Sequence, residues 1–321
     1  MAQFHATFIR PGEKILDMTS GLGIDVFHFA KMASTVTAID IDPDVSKALA
    51  INSKSLNLDN VCAINADSID YLSNTDDKYD VIFVDPARRG FNGKRLYALC
   101  ECAPNITEML SIIKSKCKRF IVKASPMLDI TQTLRELPDA TDIYTIGTIN
   151  ECKELVIISD FENKTDEATI HAITLIDDTE IRLTYNISSE NNASAMYNTP
   201  KEAGYLYEPY PSVMKASPTK YLSQLYGVEK LHLNTHLYTS DTIINDFPGE
   251  IFKIEQIIPF SSKGIKRFSS IYPQINIATR NFVMSTDELR KKLKVKDGGS
   301  KRAFGCTTIN GSKIIIITTK I

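Results

Sequence analysis

Four aspartates recur in the first 85 residues, each at the end of a short and mostly apolar run. Asp17 follows "KIL", Asp40 follows "TVTAI", Asp67 lies just past "VCAIN" and Asp85 follows "VIFV". A carboxylate accepts charge-assisted hydrogen bonds from amines and hydroxyls. This chemistry favours a ligand that carries an amine and hydroxyl groups, held along one edge of the preceding strands.

Strands and helices alternate over this part of the chain. Strands are predicted over "EKILDMTS", "TVTAIDID", "VCAINAD", "YDVIFVDP" and "KRFIVKAS", and helices over "GIDVFHFAKMA" and "PDVSKALAINSKSLNL". A further helix, broken at Pro104, is predicted from the spacing of Leu99, Cys102, Ile106, Met109, Leu110 and Ile113. The alternation predicts an α/β fold with a Rossmann-like, doubly wound sheet, closed by an antiparallel pair at "DIYTIGTI" and "ELVIISD". Ligands of such sheets bind beyond the carboxyl ends of the strands.

The first strand-to-helix turn indicates which ligand. "LDMTSGLGIDVFHFA" places Gly21 and Gly23 in the turn and Asp25 in the first turn of the helix. A dinucleotide fingerprint needs a third glycine where Val26 stands, and two carboxylates disfavour a pyrophosphate. They suit a cationic amine such as that of S-adenosylmethionine. Asp17 would accept a hydrogen bond from this amine, and the two glycines would let the backbone come close to the ligand.

The next two acids would bind other parts of the same ligand. Asp40 is placed to accept from both ribose hydroxyls, and Asp67 from the adenine amine. Each aspartate has a simpler explanation as a helix N-cap, and this applies most to Asp67, ahead of "SIDYL".

Composition is that of an ordinary water-soluble protein: 43% of the 321 residues are hydrophobic, and no apolar run is long enough for a membrane span. The N-terminus shows no secretory signal pattern. We also expect that a substrate-covering region ahead of the first strand is missing from this chain. Six cysteines without a CxxC pair favour reduced thiols in the cytoplasm and predict no metal site.

The chain divides further into four expected parts. Residues 1–160 form the first domain, 161–200 a hairpin connector turning at Asp177-Asp178, 201–248 a small α+β (ferredoxin-like) unit and 249–321 a basic domain. Residues 1–160 hold 17 Lys and Arg against 22 Asp and Glu, whereas residues 250–321 hold 14 against 5. The basic end would attract a polyanion, unless its cations only lie on solvent-exposed faces of the helix and hairpin. The candidate cations include Lys263, Lys266, Arg267, Arg290, Lys301 and Arg302.

The motifs resemble known families. The front of the chain looks like a class I S-adenosylmethionine-dependent methyltransferase, and "DMTSGLGIDVFHFA" is similar to the first motif of the ribosomal RNA guanine-N2 methyltransferases. "FVDPARRGFNGKRLYALCECAPNITEML", "VKASPMLD" and "NECKELVII" more closely resemble predicted bacterial methyltransferases with a C-terminal THUMP-like domain. The similarity continues through "YLYEPYPSVMKASPTKYL" and "LRKKLKVKDGGSKRAFGCTTINGSKIIIITTK". It implies this fold, S-adenosylmethionine as cofactor and a connection to RNA.

The resemblance also assigns roles around the fourth strand. Asp85 and the carbonyl of Pro86 would accept from an exocyclic amine and align its nitrogen with the methyl group. Ala87 departs from the family's second proline, and Arg88 stands where an aromatic residue is usual. Arg88 or Arg89 would stack on a base or hold a phosphate. Independently of the resemblance, Lys123 at the end of the fifth strand would contact the RNA, pair with Asp85 or extend to solvent. Ser125 stands where carbon-methylating enzymes carry a cysteine, which disfavours a carbon target.

The expected function is therefore methylation of a base in structured rRNA or tRNA, at a nitrogen rather than a carbon. Two alternatives stay open. The chain is a non-catalytic RNA- or cofactor-binding protein on the same fold, or it methylates a small molecule or a protein.

Overall fold

The computed structural model describes residues 1–88, 98–177 and 179–321, with the backbone alone at Arg88. These residues form two compact units. Unit 1 comprises residues 1–146 and 153–171, and unit 2 comprises residues 147–152 and 172–321.

The elements of unit 1 alternate as the sequence predicts. Its helices are α1 (Ala2–His5), α2 (Ile24–Phe29), α3 (Pro43–Ser55), α4 (Ser68–Asn74), α5 (Leu110–Lys116) and α6 (Ile130–Glu136). The strands of this part of the chain are β1 (Lys14–Asp17), β2 (Thr35–Asp40), β3 (Val61–Asn65), β4 (Tyr79–Val84), β5 (Ala87–Arg88), β6 (Cys102–Ala103), β7 (Cys117–Ala124), β8 (Asp142–Gly147) and β9 (Cys152–Asp160).

The sheet of unit 1 has the strand order β8-β9-β7-β4-β1-β2-β3. Neighbouring strands from β7 to β3 are parallel, and β9 runs antiparallel to β7. The order reverses between β1 and β4, which is the position where open α/β sheets bind ligands. This confirms the predicted fold class and puts the four aspartates at one edge.

Local sequence explains these elements. The last four residues of β4, "VIFV", are at most 1% exposed, as expected for a parallel strand covered on both faces. At α3, Asp42 is the N-cap and accepts from the backbone N–H groups of Asp44 and Val45, and Pro43 opens the helix.

The helix predicted from Leu99 is wrong in its first half. Residues 99–101 and 106–109 form 3-10 turns, and between them β6 pairs with β5. The α-helix begins only at Leu110. Leu99, Ile106 and Ile113 are nevertheless fully buried, so the spacing predicted burial correctly and helical structure incorrectly.

Unit 2 continues the chain. Strand β10 (Thr169–Ile176) begins in unit 1 and forms with β11 (Thr179–Asn186) the predicted pair of adjacent strands. The other strands are β12 (Tyr205–Pro209), β13 (Glu229–His232), β14 (Thr235–Ser240), β15 (Gly249–Pro259), β16 (Asn276–Arg280), β17 (Lys301–Thr307) and β18 (Lys313–Lys320). The helices are α7 (Ile187–Asn192), α8 (Pro211–Ala216), α9 (Thr219–Tyr226), α10 (Ser262–Ile265), α11 (Phe268–Ile271) and α12 (Thr286–Leu293).

A seven-stranded sheet organises unit 2, with the order β13-β14-β12-β15-β18-β17-β16. The antiparallel pair β12–β15 joins the strands on either side of residue 248 into one sheet. The side chains of α11 and α12 share a core with Ile315 and Ile317 of β18. Ser285 and Glu288 form a capping box at the start of α12.

Candidate active site

Asp17 ends β1 with its carboxyl group inside the protein. It is 1% exposed and accepts a hydrogen bond of 2.9 Å from the backbone N–H of Thr19. Burial raises the pKa of Asp17 to about 8, although the hydrogen bond from Thr19 opposes the shift. A cationic amine bound nearby would favour the ionised carboxylate, because opposite charge lowers the pKa of an acid.

The glycines of the next turn have different tasks. Gly21 and Gly23 both have positive φ angles, of 50° and 90°. A Cβ on Gly23 would overlap the side chains of Leu49 and Phe27, so this glycine is needed for packing at the start of α2. A Cβ on Gly21 would meet no atom within 4 Å, which leaves open space beside the backbone where a ligand could approach.

Asp25, in the first turn of α2, belongs to a buried charge cluster. The ring nitrogens of His5 face two carboxylates: Nδ1 lies 2.8 Å from Asp25 and Nε2 lies 2.5 Å from Glu154. Two carboxylate neighbours require both nitrogens to donate, so His5 is an imidazolium. Burial lowers the pKa of His5, but the two hydrogen bonds outweigh it and raise the pKa to about 9.

Sequence reasoning missed His5 and Glu154. They lie 149 residues apart, in α1 and β9, and although Glu154 stands in the motif "NECKELVII", that motif does not indicate its partner. The one available signal was a glutamate inside the apolar strand "ELVII", which needs a partner if it is buried.

Asp40, at the end of β2, faces the glycine turn. Its carboxylate accepts from the backbone N–H groups of Gly21 at 3.0 Å and of Asp42 at 2.9 Å. Asp67 is the N-cap of α4 and accepts from Ile69 and Asp70. Both aspartates line a cavity of about 420 Å³. The capping explanation of Asp67 is thus correct, and its position on the cavity is compatible with the ligand-binding one.

A second cavity, of about 270 Å³, is lined by His5, Asp17, Gly21, Asp25, Asp85 and Lys123. Thr19 and Asp85 line both cavities. The acids predicted to hold an amine therefore line one space, and those predicted to hold a nucleoside line an adjoining one. This arrangement fits the two halves of S-adenosylmethionine.

Asp85 stands where three spaces meet. Its backbone N–H donates to Oγ1 of Thr19 at 2.7 Å, and its Oδ2 accepts from Nζ of Lys123 at 2.7 Å. It lines the two cavities above and a third of about 160 Å³, together with Pro86, Leu99, Lys123, Leu128 and Glu154. The third cavity is a candidate acceptor site.

The predicted RNA contacts separate into two groups. Lys263, Lys266 and Arg267, around α10 and α11, are exposed and form no ion pair among the residues that the structure describes. The other predicted cations of this segment are paired: Arg290 with Asp287 and Asp297, Lys301 with Glu255, and Arg302 with Glu250. The side chain of Arg88 and the whole of Arg89 lie outside the described residues.

The described residues contain neither a metal-binding cluster nor a membrane-spanning helix. No group of three or more His, Cys, Asp or Glu in residues 1–88, 98–177 and 179–321 is placed to hold a metal ion. Within the same ranges, no helix has the length and hydropathy needed to cross a membrane.

Comparisons with known proteins identify the class of this fold and site. A family model described as a methyltransferase domain matches residues 9–182. The crystal structure of a "putative methyltransferase from Porphyromonas gingivalis W83" is 33% identical, with a TM-score of 0.90, over 99% of this chain and 80% of that one. The chain belongs to the methyltransferase family.

The comparisons extend to the rest of the chain. Models of a ferredoxin-like domain and of a THUMP domain-like segment match residues 205–248 and 249–320. An "uncharacterized RNA methyltransferase" of Mycoplasma mobile is 35% identical over 83 residues, which are 26% of this chain. The chain covers 23% of that curated relative. The predicted family, with its THUMP-like C-terminal segment, is thus confirmed, while the predicted boundaries at residues 160, 200 and 248 stay predictions.

Proposed function

We propose that this protein is an S-adenosylmethionine-dependent methyltransferase that modifies a nitrogen of a base in structured RNA, of the rRNA or tRNA kind. The observation that carries the proposal is the position of Asp85, on all three cavities at the switch point of the sheet. A group at this position can contact an acceptor while it faces the cofactor's methyl group.

The cofactor would be held by residues of unit 1. Asp17 and Asp25 line the space for its amine, Gly21 leaves room for close approach, and Asp40 and Asp67 line the space for its nucleoside. S-adenosylmethionine supplies an electrophilic methyl group on a sulfonium. The clustered carboxylates favour the sulfonium of the cofactor over the uncharged thioether sulfur of its product.

The chain's own contribution to the reaction is alignment. Asp85 is anchored through its backbone to Thr19 and through its side chain to Lys123, so its carboxylate has a fixed direction. Holding an acceptor nitrogen in line with the methyl group supplies much of the acceleration, since the sulfonium is already a good leaving group. The apolar walls of the third cavity, among them Leu99 and Leu128, would exclude water around the acceptor.

An RNA substrate is supported by three observations. The Mycoplasma mobile relative is described as an RNA methyltransferase, residues 249–320 match a THUMP-like model, and that segment exposes cations that have no ion-pair partner in the described part of the chain. Lys263, Lys266 and Arg267 would contact phosphates. Arg290, Lys301 and Arg302 are weaker candidates, because acidic neighbours already compensate their charge.

The test is incubation with methyl-labelled S-adenosylmethionine and total RNA, followed by digestion and identification of the labelled nucleoside. We expect label in one nucleoside, methylated at a base nitrogen. Label in protein or in small molecules alone would mean that RNA is not the substrate. Absence of any transfer would contradict the proposal that the protein is an enzyme.

A further inference from the structure

Lys123 and Asp85 form an ion pair inside the candidate acceptor site. Their side chains are 24% and 43% exposed, and the Nζ to Oδ2 distance is 2.7 Å. Both line the cavity of about 160 Å³ and the cavity for the cofactor's amine. An acceptor that reaches Asp85 therefore also meets an ammonium group.

The surroundings keep this ammonium charged. Burial lowers the pKa of Lys123, but the hydrogen bond to Asp85 and the nearby carboxylates of Asp25 and Glu154 raise it above its usual value. Nζ lies 3.9 Å from Oδ2 of Asp25. The other titratable groups around the pair, among the residues that the structure describes, are His5, which bridges Asp25 and Glu154, the buried Asp17, and Lys153 at the cavity.

A fixed cation affects the two classes of base nitrogen differently. Methylation of an exocyclic amine develops positive charge on the base, which an adjacent ammonium opposes. Methylation of a ring N–H next to a carbonyl removes the proton and develops negative charge on that oxygen. A preorganised ammonium stabilises the second transition state, because it is aimed at the charge that develops.

The size of the cavity allows this chemistry on a single base. A cavity of about 150 Å³ is large enough to hold a benzene ring, and the one beside Asp85 measures about 160 Å³. It would hold the reacting ring of an extruded base, with the rest of the nucleotide outside.

We propose that the acceptor is a ring N–H beside a carbonyl, as at N1 of guanine or N3 of uracil, and that Lys123 is a catalytic residue that donates to the carbonyl oxygen. This rests on the proposed function and differs from the exocyclic amine that the resemblance implies. The N–H bond breaks and its proton passes to Asp85. The new N–C bond forms as the methyl C–S bond breaks, the electron pair of that bond stays on sulfur, and Asp85 releases its proton to water.

The identity of the labelled nucleoside is the first test. We expect 1-methylguanosine or 3-methyluridine. A product methylated at an exocyclic amine, at carbon or at a ribose hydroxyl would overturn this proposal and leave RNA methylation standing. Absence of methylated RNA would overturn both.

The pH profile of a Lys123 variant is the second test, run at saturating cofactor. Lys123→Met should slow transfer about 100-fold at pH 7, the scale of general acid-base assistance. Its rate should recover as pH rises, because the ring N–H then ionises without help, and Lys123→Arg should retain part of the rate. An exocyclic amine has no such ionisation, so a deficit in Lys123→Met that stays constant with pH would contradict the proposal.

A matched control and a readout without cofactor complete the design. Lys118→Met removes the ammonium of another pair between β7 and β4, with Asp80, and should leave the profile unchanged. Without cofactor, RNA with the target uridine replaced by cytidine, or guanosine by 2,6-diaminopurine, should bind the wild type several-fold more weakly. Lys123→Met should lose part of this preference and keep the part that comes from the ring N–H facing Asp85, and an equal preference in both proteins would count against the assignment of Lys123.

Discussion

Lys123 and Asp85 repeat, at the carboxyl ends of β7 and β4, an ion pair that Lys118 and Asp80 form where the same strands begin. The N to O distance is 2.7 Å in both pairs. Lys118 is 55% exposed and lines none of the three cavities, whereas Lys123 is 24% exposed and lines two. Comparing variants of the two pairs therefore distinguishes a role of Lys123 and Asp85 in the site from the contribution that an ion pair between these strands makes to stability.

Asp40→Asn should weaken binding of S-adenosylmethionine 10- to 100-fold, on the order of 1.5–3 kcal/mol, because an amide cannot accept from two ribose hydroxyls as a carboxylate does. Calorimetric titration measures it. Asp42→Asn, two residues away, keeps the cap of α3 and should bind the cofactor as the wild type does. Equal affinity in the folded Asp40 variant would remove this residue from the ribose site.

Gly21→Ala tests the open space beside the glycine turn. The methyl group should occupy room that the cofactor needs, so we expect cofactor affinity to fall at least tenfold. Gly12→Ala is the matched control, since Gly12 also has a positive φ and an added methyl group would meet no atom within 4 Å, but it does not line the cofactor cavities. Both variants should lose similar stability, about 1 kcal/mol. Affinity lost equally in both would attribute the effect to backbone strain.

The His5 cluster should make stability depend on pH. A folded-state pKa of about 9 against 6.5 unfolded means that its contribution is fully present below pH 6.5 and is lost as pH rises to about 9. The free energy of unfolding should fall by about 3 kcal/mol at most. Urea unfolding midpoints between pH 6 and 9.5 measure it.

His5→Gln should remove the part of this pH dependence that comes from His5 and leave the decline up to about pH 8 that the raised pKa of Asp17 causes. Glu154→Gln should shift the upper limit of the His5 contribution to lower pH, because one of the two carboxylates that raise the pKa of His5 is gone. His28→Gln, on the surface of α2, is the control. If stability declines between pH 6.5 and 9 to the same extent in His5→Gln as in the wild type, groups other than His5 cause the decline.

The exposed cations around α10 and α11 should set the salt dependence of RNA binding. The slope of log affinity against log salt is about −0.7 per contact with a single-strand phosphate. Replacing Lys263, Lys266 and Arg267 together by Gln should therefore reduce the slope by about two units, measured by fluorescence anisotropy at several salt concentrations. Replacing the exposed Lys31, Lys47 and Lys54 of unit 1 controls for overall charge. Parallel lines for wild type and the first variant would mean that this surface does not contact RNA.

Much of the geometry of the candidate cofactor site could be predicted from the sequence, because parallel strands bring their carboxyl ends to one edge. This rule alone placed Asp17, Asp40, Asp67 and Asp85 around adjoining cavities. The cluster of His5 and Glu154 could not be predicted, since it depends on a contact between α1 and β9 that leaves no local pattern. Counting charges in the basic segment also could not show that Arg302 and Lys301 are paired with glutamates.

Methyl transfer by Asp85→Ala, compared with Asp80→Ala, tests the central claim most directly. Each variant is incubated with labelled S-adenosylmethionine and RNA, and its cofactor affinity is measured in parallel. We predict that Asp85→Ala loses at least 100-fold in transfer rate while its cofactor affinity changes little, because Asp85 acts mainly on the acceptor. Asp80→Ala should transfer normally. Equal transfer by the two variants would contradict the assignment of Asp85, and wild-type protein that binds cofactor and RNA without any transfer would favour a binding protein.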